Sequence, residues 1–152
     1  FGLASIWQAI QFCGAHRIGH ATRLVEDLED EEAGRRSAGT LANYIDDHRI
    51  CLEMCLSSNL HTGAISRLED HPFPDYLRRG FRVCLNTDNY LMSATTLTYE
   101  WWLAQELFGL SIHDLEKLAH NAAKGAFCHH AERIELLEKK LCPAFEAARA
   151  TV

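Results

Sequence analysis

Three short strand-like runs, Arg17 to Ala21, Ile50 to Leu56 and Phe81 to Thr87, are separated by stretches of helical length. This alternation limits the fold more than any other feature. Strands that alternate with helices pair in parallel through right-handed crossovers. The middle run, Ile50-Cys51-Leu52-Glu53-Met54-Cys55-Leu56, is apolar almost throughout, as suits a strand covered on both faces. A helix is predicted to begin after Ser5 as N-cap, with Ile6, Ala9, Ile10 and Cys13 on one face and Gly14 at its end. Further helices are predicted from Leu41 to His48 and from Asp75 to Arg79, the latter stopped by Gly80. Another runs from Thr96 to Phe108, with Leu97, Trp101, Ala104 and Phe108 on one stripe and Gly109 as its end. Ser111 and Asp114 form a capping-box pattern that opens a helix through Phe127. A last helical region spans about Ala131 to Ala150 and is interrupted near Pro143. Ser57 to Thr62 reads as a polar loop. The order is α-β-α-β-α-β-α-α-α, an α/β class with no internal repeat and no linker.

At 152 residues the chain is too short for a complete eight-stranded α/β barrel, which needs roughly 200 or more. Its formal net charge of −6 speaks against a nucleic-acid partner. No apolar run approaches the ~20 residues of a membrane helix, so no membrane association is expected. Phe1-Gly2-Leu3-Ala4 lacks the charged start of a signal peptide. The six cysteines contain no C-x-x-C pair, and Cys51 and Cys84 lie in strand-like runs. They read as buried reduced thiols, which places the protein in the cytoplasm. The acidic run Glu26 to Glu32 reads as a solvated segment, because carboxylates in sequence do not converge on one point.

Polar residues gather just after each strand, where α/β folds bind ligands. His20 ends the first strand, and Gly19 beside it would let another group approach the backbone. A structural role for this His is the plain alternative. Asp88 follows the third strand in Leu85-Asn86-Thr87-Asp88-Asn89. A carboxylate there needs a partner: a metal, an Arg or backbone N–H groups. Ser57-Ser58-Asn59-Leu60-His61-Thr62-Gly63 follows the second strand. Two hydroxyls, an amide and an imidazole suit a polar small molecule, and equally suit a helix N-cap. His129-His130-Ala131-Glu132 lacks the i, i+4 spacing of a helical metal pair and reads as surface.

Four ordered segments together resemble adenosine deaminase. They are Arg17 to Ala21, Cys55 to Ala64, Leu85 to Asn89, and Met92 to Thr96; Asn121-Ala122-Ala123 fits as well. The resemblance covers nearly the whole chain. It implies a zinc-dependent (β/α)8 barrel that hydrolyses adenosine to inosine and ammonia in purine salvage, the zinc acidifying the water that attacks C6. On this reading residues 1–152 are the C-terminal half of the barrel, with about three parallel strands and extra C-terminal helices, and the N-terminal half is absent from the chain. His20 matches the active-site His beside the attacking water, where it would orient the nucleophile and stabilise developing charge. Asp88 matches a zinc-ligating Asp that could also accept a proton. Asn89 stands where many members have a second Asp, against the purine. Ser58 and His61 lie near the substrate. One zinc ion is implied, its other ligands expected in the missing half.

Three departures accompany the resemblance. The family's H-x-H and H-A-G-E motifs are absent, so the chain alone is expected to be inactive. Asn89 replaces an acidic residue, although its NH2 group can still donate to purine N7. Glu31 to Thr40 reads as an insertion. The partner is expected to be a small purine nucleoside and the full-length enzyme a monomer. Two alternatives stay open: a non-catalytic half-barrel interaction module, or a deaminase of adenine or another aminopurine nucleoside.

Overall fold

A computed structural model of the chain describes residues 2–28 and 39–151. Most of the acidic run and of the expected insertion lies outside these residues. Three parallel strands form one sheet in the order β1-β2-β3: β1 (Arg17–Gly19), β2 (Cys51–Met54) and β3 (Val83–Leu85). Ile18 pairs with Leu52, and Leu52 with Val83. All three strands are shorter than the sequence runs. The ladder nonetheless reaches past them, since His20 N–H donates to Glu53 O and Asn86 N–H to Met54 O, both at 2.8 Å.

Helices connect and flank the strands. Helix α1 (Leu3–Gln11) buries Ile6 and Ile10. It begins earlier than expected: Gly2 is the N-cap, and Ser5 N–H already donates to Gly2 O at 3.0 Å. It also ends before Cys13, which is exposed rather than on the buried face. A 3-10 turn (Thr22–Asp27) follows β1. Asp27 then docks on the start of helix α2 (Thr40–Asp47), accepting from Ala42 N–H at 2.7 Å through Oδ2. That carboxylate supplies the cap that no α2 residue provides. Expected to be solvated, Asp27 is thus a structural member of the acidic run.

Helix α3 (Leu56–His61) follows β2 after one residue. A polar loop was expected here, so this is a correction. Ser57, Ser58 and Asn59 are all buried, and Ser57 N–H is satisfied by Glu100 Oε2 at 3.3 Å. Tertiary contacts thus override the preference of Ser and Asn for non-helical turns. Helix α4 (Phe73–Arg79) begins with Pro74 in its first turn and ends at Gly80, whose φ of 88° provides the left-handed cap.

Helix α5 (Leu97–Phe108) is capped by Thr96, which accepts from Tyr99 N–H. Of its expected stripe, Ala104 is buried, Trp101 and Phe108 are half-buried, and Leu97 is exposed. Helix α6 (Ile112–Gly125) opens on the predicted Ser111–Asp114 capping box and lies against the sheet. Asn121 Nδ2 donates to Val83 O at 3.0 Å, and Arg17 Nη1 to Gly125 O at 3.1 Å. A Cβ on Gly125 would lie 3.1 Å from Cys51 Sγ, so helix and strand approach more tightly here than an added side chain ordinarily allows. Helices α7 (His130–Leu136) and α8 (Cys142–Thr151) are joined by a π-helical turn, Leu137–Leu141. The expected interruption at Pro143 takes this form. A wider turn just before proline absorbs its missing N–H without breaking the helix.

The core holds Leu24, Ile45, Leu52, Met54, Phe73, Tyr76, Val83 and Leu118, all fully buried. All six cysteines are free, with Cys51, Cys55 and Cys84 buried. Cys51 and Cys84 sulfurs lie 3.6 Å apart; their hydrogen bond and burial push the Cys51 thiol up, so it stays protonated. Among the described residues, no helix is long and apolar enough to cross a membrane.

Candidate active site

The C-terminal ends of the three strands carry a connected polar group. His20 directly follows β1, Ser58 and Asn59 lie in the first turns of α3 after β2, and Asp88 lies three residues past β3. Parallel pairing alone brings these segments to one rim. Ser58 Oγ donates to Asp88 Oδ2 at 2.6 Å. His20 Nε2 lies 3.8 Å from the same oxygen. Asn59 Nδ2 lies 2.9 Å from His20 Nδ1, and Asn59 Oδ1 lies 3.0 Å from His71 Nε2. Phe73 N–H donates to His71 Nδ1 at 3.0 Å. One chain of contacts therefore runs from the backbone at α4 to the carboxylate of Asp88.

Burial grades along this chain. His71 and Asn59 are 3% and 1% exposed, whereas the His20 and Asp88 side chains are 42% and 43% exposed. The buried end is fixed and the open end faces solvent. Burial, with a smaller effect from His20, holds His71 down to about 4, so it is neutral at ordinary pH. Burial, then the Asp88 and Glu100 carboxylates, pushes Cys55 up to about 12. That thiol beside the rim is inert as a nucleophile. Glu100, fully buried, ties the rim together by accepting from Thr95 Oγ1 at 2.7 Å as well as from Ser57 N–H.

Both His20 (φ 65°) and Asp88 (φ 54°) occupy the left-handed region. For a residue with a Cβ this conformation costs roughly 1–3 kcal/mol and persists where surrounding contacts impose it. Here the ladder bonds donated by His20 N–H and Asn86 N–H, with the side-chain contacts of His20 and Asp88, do so. Ala21, Arg49 and Ala94 adopt the same region, so it is the side-chain contacts between His20 and Asp88 that single out this pair.

The remaining expected residues fall differently. Asn89 is exposed, and its Oδ1 accepts from Met92 N–H at 3.2 Å. Its amide oxygen is thereby engaged. His61 ends α3, is exposed, and joins none of these bonds among the described residues. Gly19 has room for a Cβ, whose nearest neighbour would be Glu53 Oε2 at 4.0 Å, so no close approach occurs there among the described residues. Asn59 was read only as part of a polar loop, and His71 was missed altogether. The available signal was the pair itself: an amide on the rim segment and a His before Pro72, whose extended backbone turns the ring inward.

Asp88 is the carboxylate of this group that could ligate a metal. Ser58 fixes one oxygen, and Oδ1 accepts no hydrogen bond among the described residues. The described residues contain no group of three or more His, Cys, Asp or Glu able to hold a metal. Zinc takes three or four protein ligands, so Asp88 could contribute only part of such a site.

The family model for adenosine deaminase matches residues 1–141. The chain belongs to the adenosine deaminase family. The adenosine deaminase of Mycolicibacterium vanbaalenii is 44% identical over 145 residues, covering 95% of this chain and 40% of that protein. The chain thus spans about two-fifths of the length of this relative. The adenine deaminase of Arthrobacter aurescens superposes with a TM-score of 0.85 at 22% identity, over 96% of this chain and 41% of that one. A zinc-bound amidohydrolase of Burkhoderia ambifaria superposes at 0.81 with 17% identity, over 99% and 39%. These structures establish the fold: the three strands and their helices are a portion of a TIM-type barrel, as the motif order implied.

Proposed function

We propose that the protein carrying this sequence hydrolytically deaminates adenosine to inosine and ammonia, and that this chain supplies the C-terminal part of its active site. The observation that carries the reading is the Ser58–Asp88–His20–Asn59 group at the strand ends, in a chain of this family. Asp88 would ligate a single zinc ion through Oδ1, with Ser58 holding the other oxygen in place. When bound, zinc would supply an acidified water as nucleophile; the amidohydrolase of B. ambifaria is a zinc-bound structural neighbour. His20 orients the attacking oxygen and stabilises charge that develops on it. Asn89 presents its NH2 group to purine N7, because Met92 N–H already occupies its amide oxygen. His61 stands at the edge of this surface and would contact substrate only at its periphery.

The other zinc ligands and the acid that protonates the ring are assigned to residues outside this chain, so residues 1–152 alone should be inactive. The setting is purine salvage in the cytoplasm, by a monomer. The test is steady-state conversion of adenosine and of adenine by the full-length protein. Adenosine should be preferred in kcat/KM. Preference for adenine would move the protein to the chemistry for which the A. aurescens neighbour is named. Turnover of neither would favour a non-catalytic role for the half-barrel.

A further inference from the structure

We infer that His71 and Asn59 are positioning residues that fix His20 as the tautomer protonated on Nε2, so that His20 meets the reacting oxygen as a hydrogen-bond donor. The assignment follows from one group that has no choice. A backbone N–H only donates, so His71 Nδ1, 3.0 Å from Phe73 N, must accept and carries no proton. The His71 proton is then on Nε2, and it points at Asn59 Oδ1 at 3.0 Å. With its oxygen engaged, Asn59 turns Nδ2 toward His20 Nδ1 at 2.9 Å. An amide NH2 only donates, so His20 Nδ1 accepts. The His20 proton is left on Nε2, the nitrogen facing Asp88.

Each link favours the next. Asn59 and His71 are almost wholly buried, so neither can exchange its partner for water. Reversing the amide would set its NH2 against the Nε2–H of His71 and its oxygen against His20, leaving buried donors and acceptors mismatched. The fixed Nε2–H has a consequence for the reaction. A group locked as donor stabilises negative charge on the attacking oxygen and does not remove its proton. Proton acceptance then falls to the Asp88 carboxylate, which His20 Nε2 faces at 3.8 Å. The relay's role in catalysis rests on the deaminase reading above; the tautomer itself does not.

The decisive experiment is nitrogen NMR on the full-length protein with 15N-labelled histidine, with the His20 signals identified by their loss in His20→Gln. The expected spectrum shows His20 Nδ1 unprotonated and Nε2 protonated at neutral pH. A proton on Nδ1, or an even mixture of tautomers, would overturn the proposal. Asn59→Asp replaces the donor with a group that only accepts and should transfer the His20 proton to Nδ1. In that variant kcat should fall about 10- to 100-fold, the range typical of lost outer-sphere partners, while KM holds. An unchanged tautomer and unchanged kcat in Asn59→Asp would equally overturn the relay. The expected tautomer in a protein that does not deaminate adenosine would uphold the relay and remove the functional reading. Deamination with the opposite tautomer would do the reverse.

Discussion

The two faces that β2 and β3 present differ in how they treat the backbone. Along the seam with α6, close packing and one buried hydrogen bond join helix to sheet: Gly125 lies against Cys51, and Asn121 donates to Val83 O. At the rim, His20 and Asp88 hold left-handed backbone and leave nearly half of each side chain in solvent. The seam is arranged for stability and the rim against it. The difference separates residues that hold the barrel portion together from those proposed to act on a ligand.

Substitution of the two regions should break this contrast in opposite directions. Asp88→Gly relieves the left-handed strain and should leave stability equal or about 1 kcal/mol higher, while activity of the full-length protein falls by about 10²-fold or more. Thermal melting beside an adenosine assay reads both. A melting temperature that drops with activity would make Asp88 a structural residue instead.

The next largest effect is on pH dependence. His71 has a folded value near 4 against an ordinary 6.5. Between those values the unfolded chain binds a proton that the folded chain does not, so stability rises with pH. Full stability is present above about 6.5 and declines as pH falls toward 4, by about 3 kcal/mol from this residue. Denaturant melts of the protein and of His71→Gln across that window check it, since the variant should show a flatter profile.

Seam substitutions should act on folding alone. Gly125→Ala places a Cβ against Cys51 and should cost about 1–3 kcal/mol. Asn121→Leu strands Val83 O and should cost about 1–3 kcal/mol. In both, KM for adenosine should be unchanged for the folded fraction. The smallest effect belongs to Ser111→Ala, which removes the α6 cap and should cost about 1 kcal/mol with no change in activity.

The strand–helix alternation made the sheet legible, because burial on both faces leaves nearly continuous apolar runs such as Ile50 to Leu56, broken only by the half-buried Glu53. Gly80, Gly109 and the Ser111 box marked helix ends by local chemistry, which the chain carries in a few adjacent residues. Helix α3 was not legible: its N-terminal N–H is satisfied by Glu100, 43 positions away from Ser57. The cap on α2 was hidden likewise, since it comes from Asp27. His20 and Asp88 could be singled out by position after strands, and their role came from resemblance to a family. Their left-handed backbone had no sequence signal, as neither is glycine. His71 escaped notice because its role exists only through Asn59, a contact made by folding.

The central claim is that the rim group is part of a zinc-dependent deaminase site to which Asp88 contributes a ligand. It is tested most directly by measuring zinc content and adenosine turnover together in the full-length protein and in Asp88→Ala. The expected result is bound zinc and inosine formation in the former, and loss of both in the latter. Asp88→Ala protein that keeps its zinc and its turnover would contradict the claim.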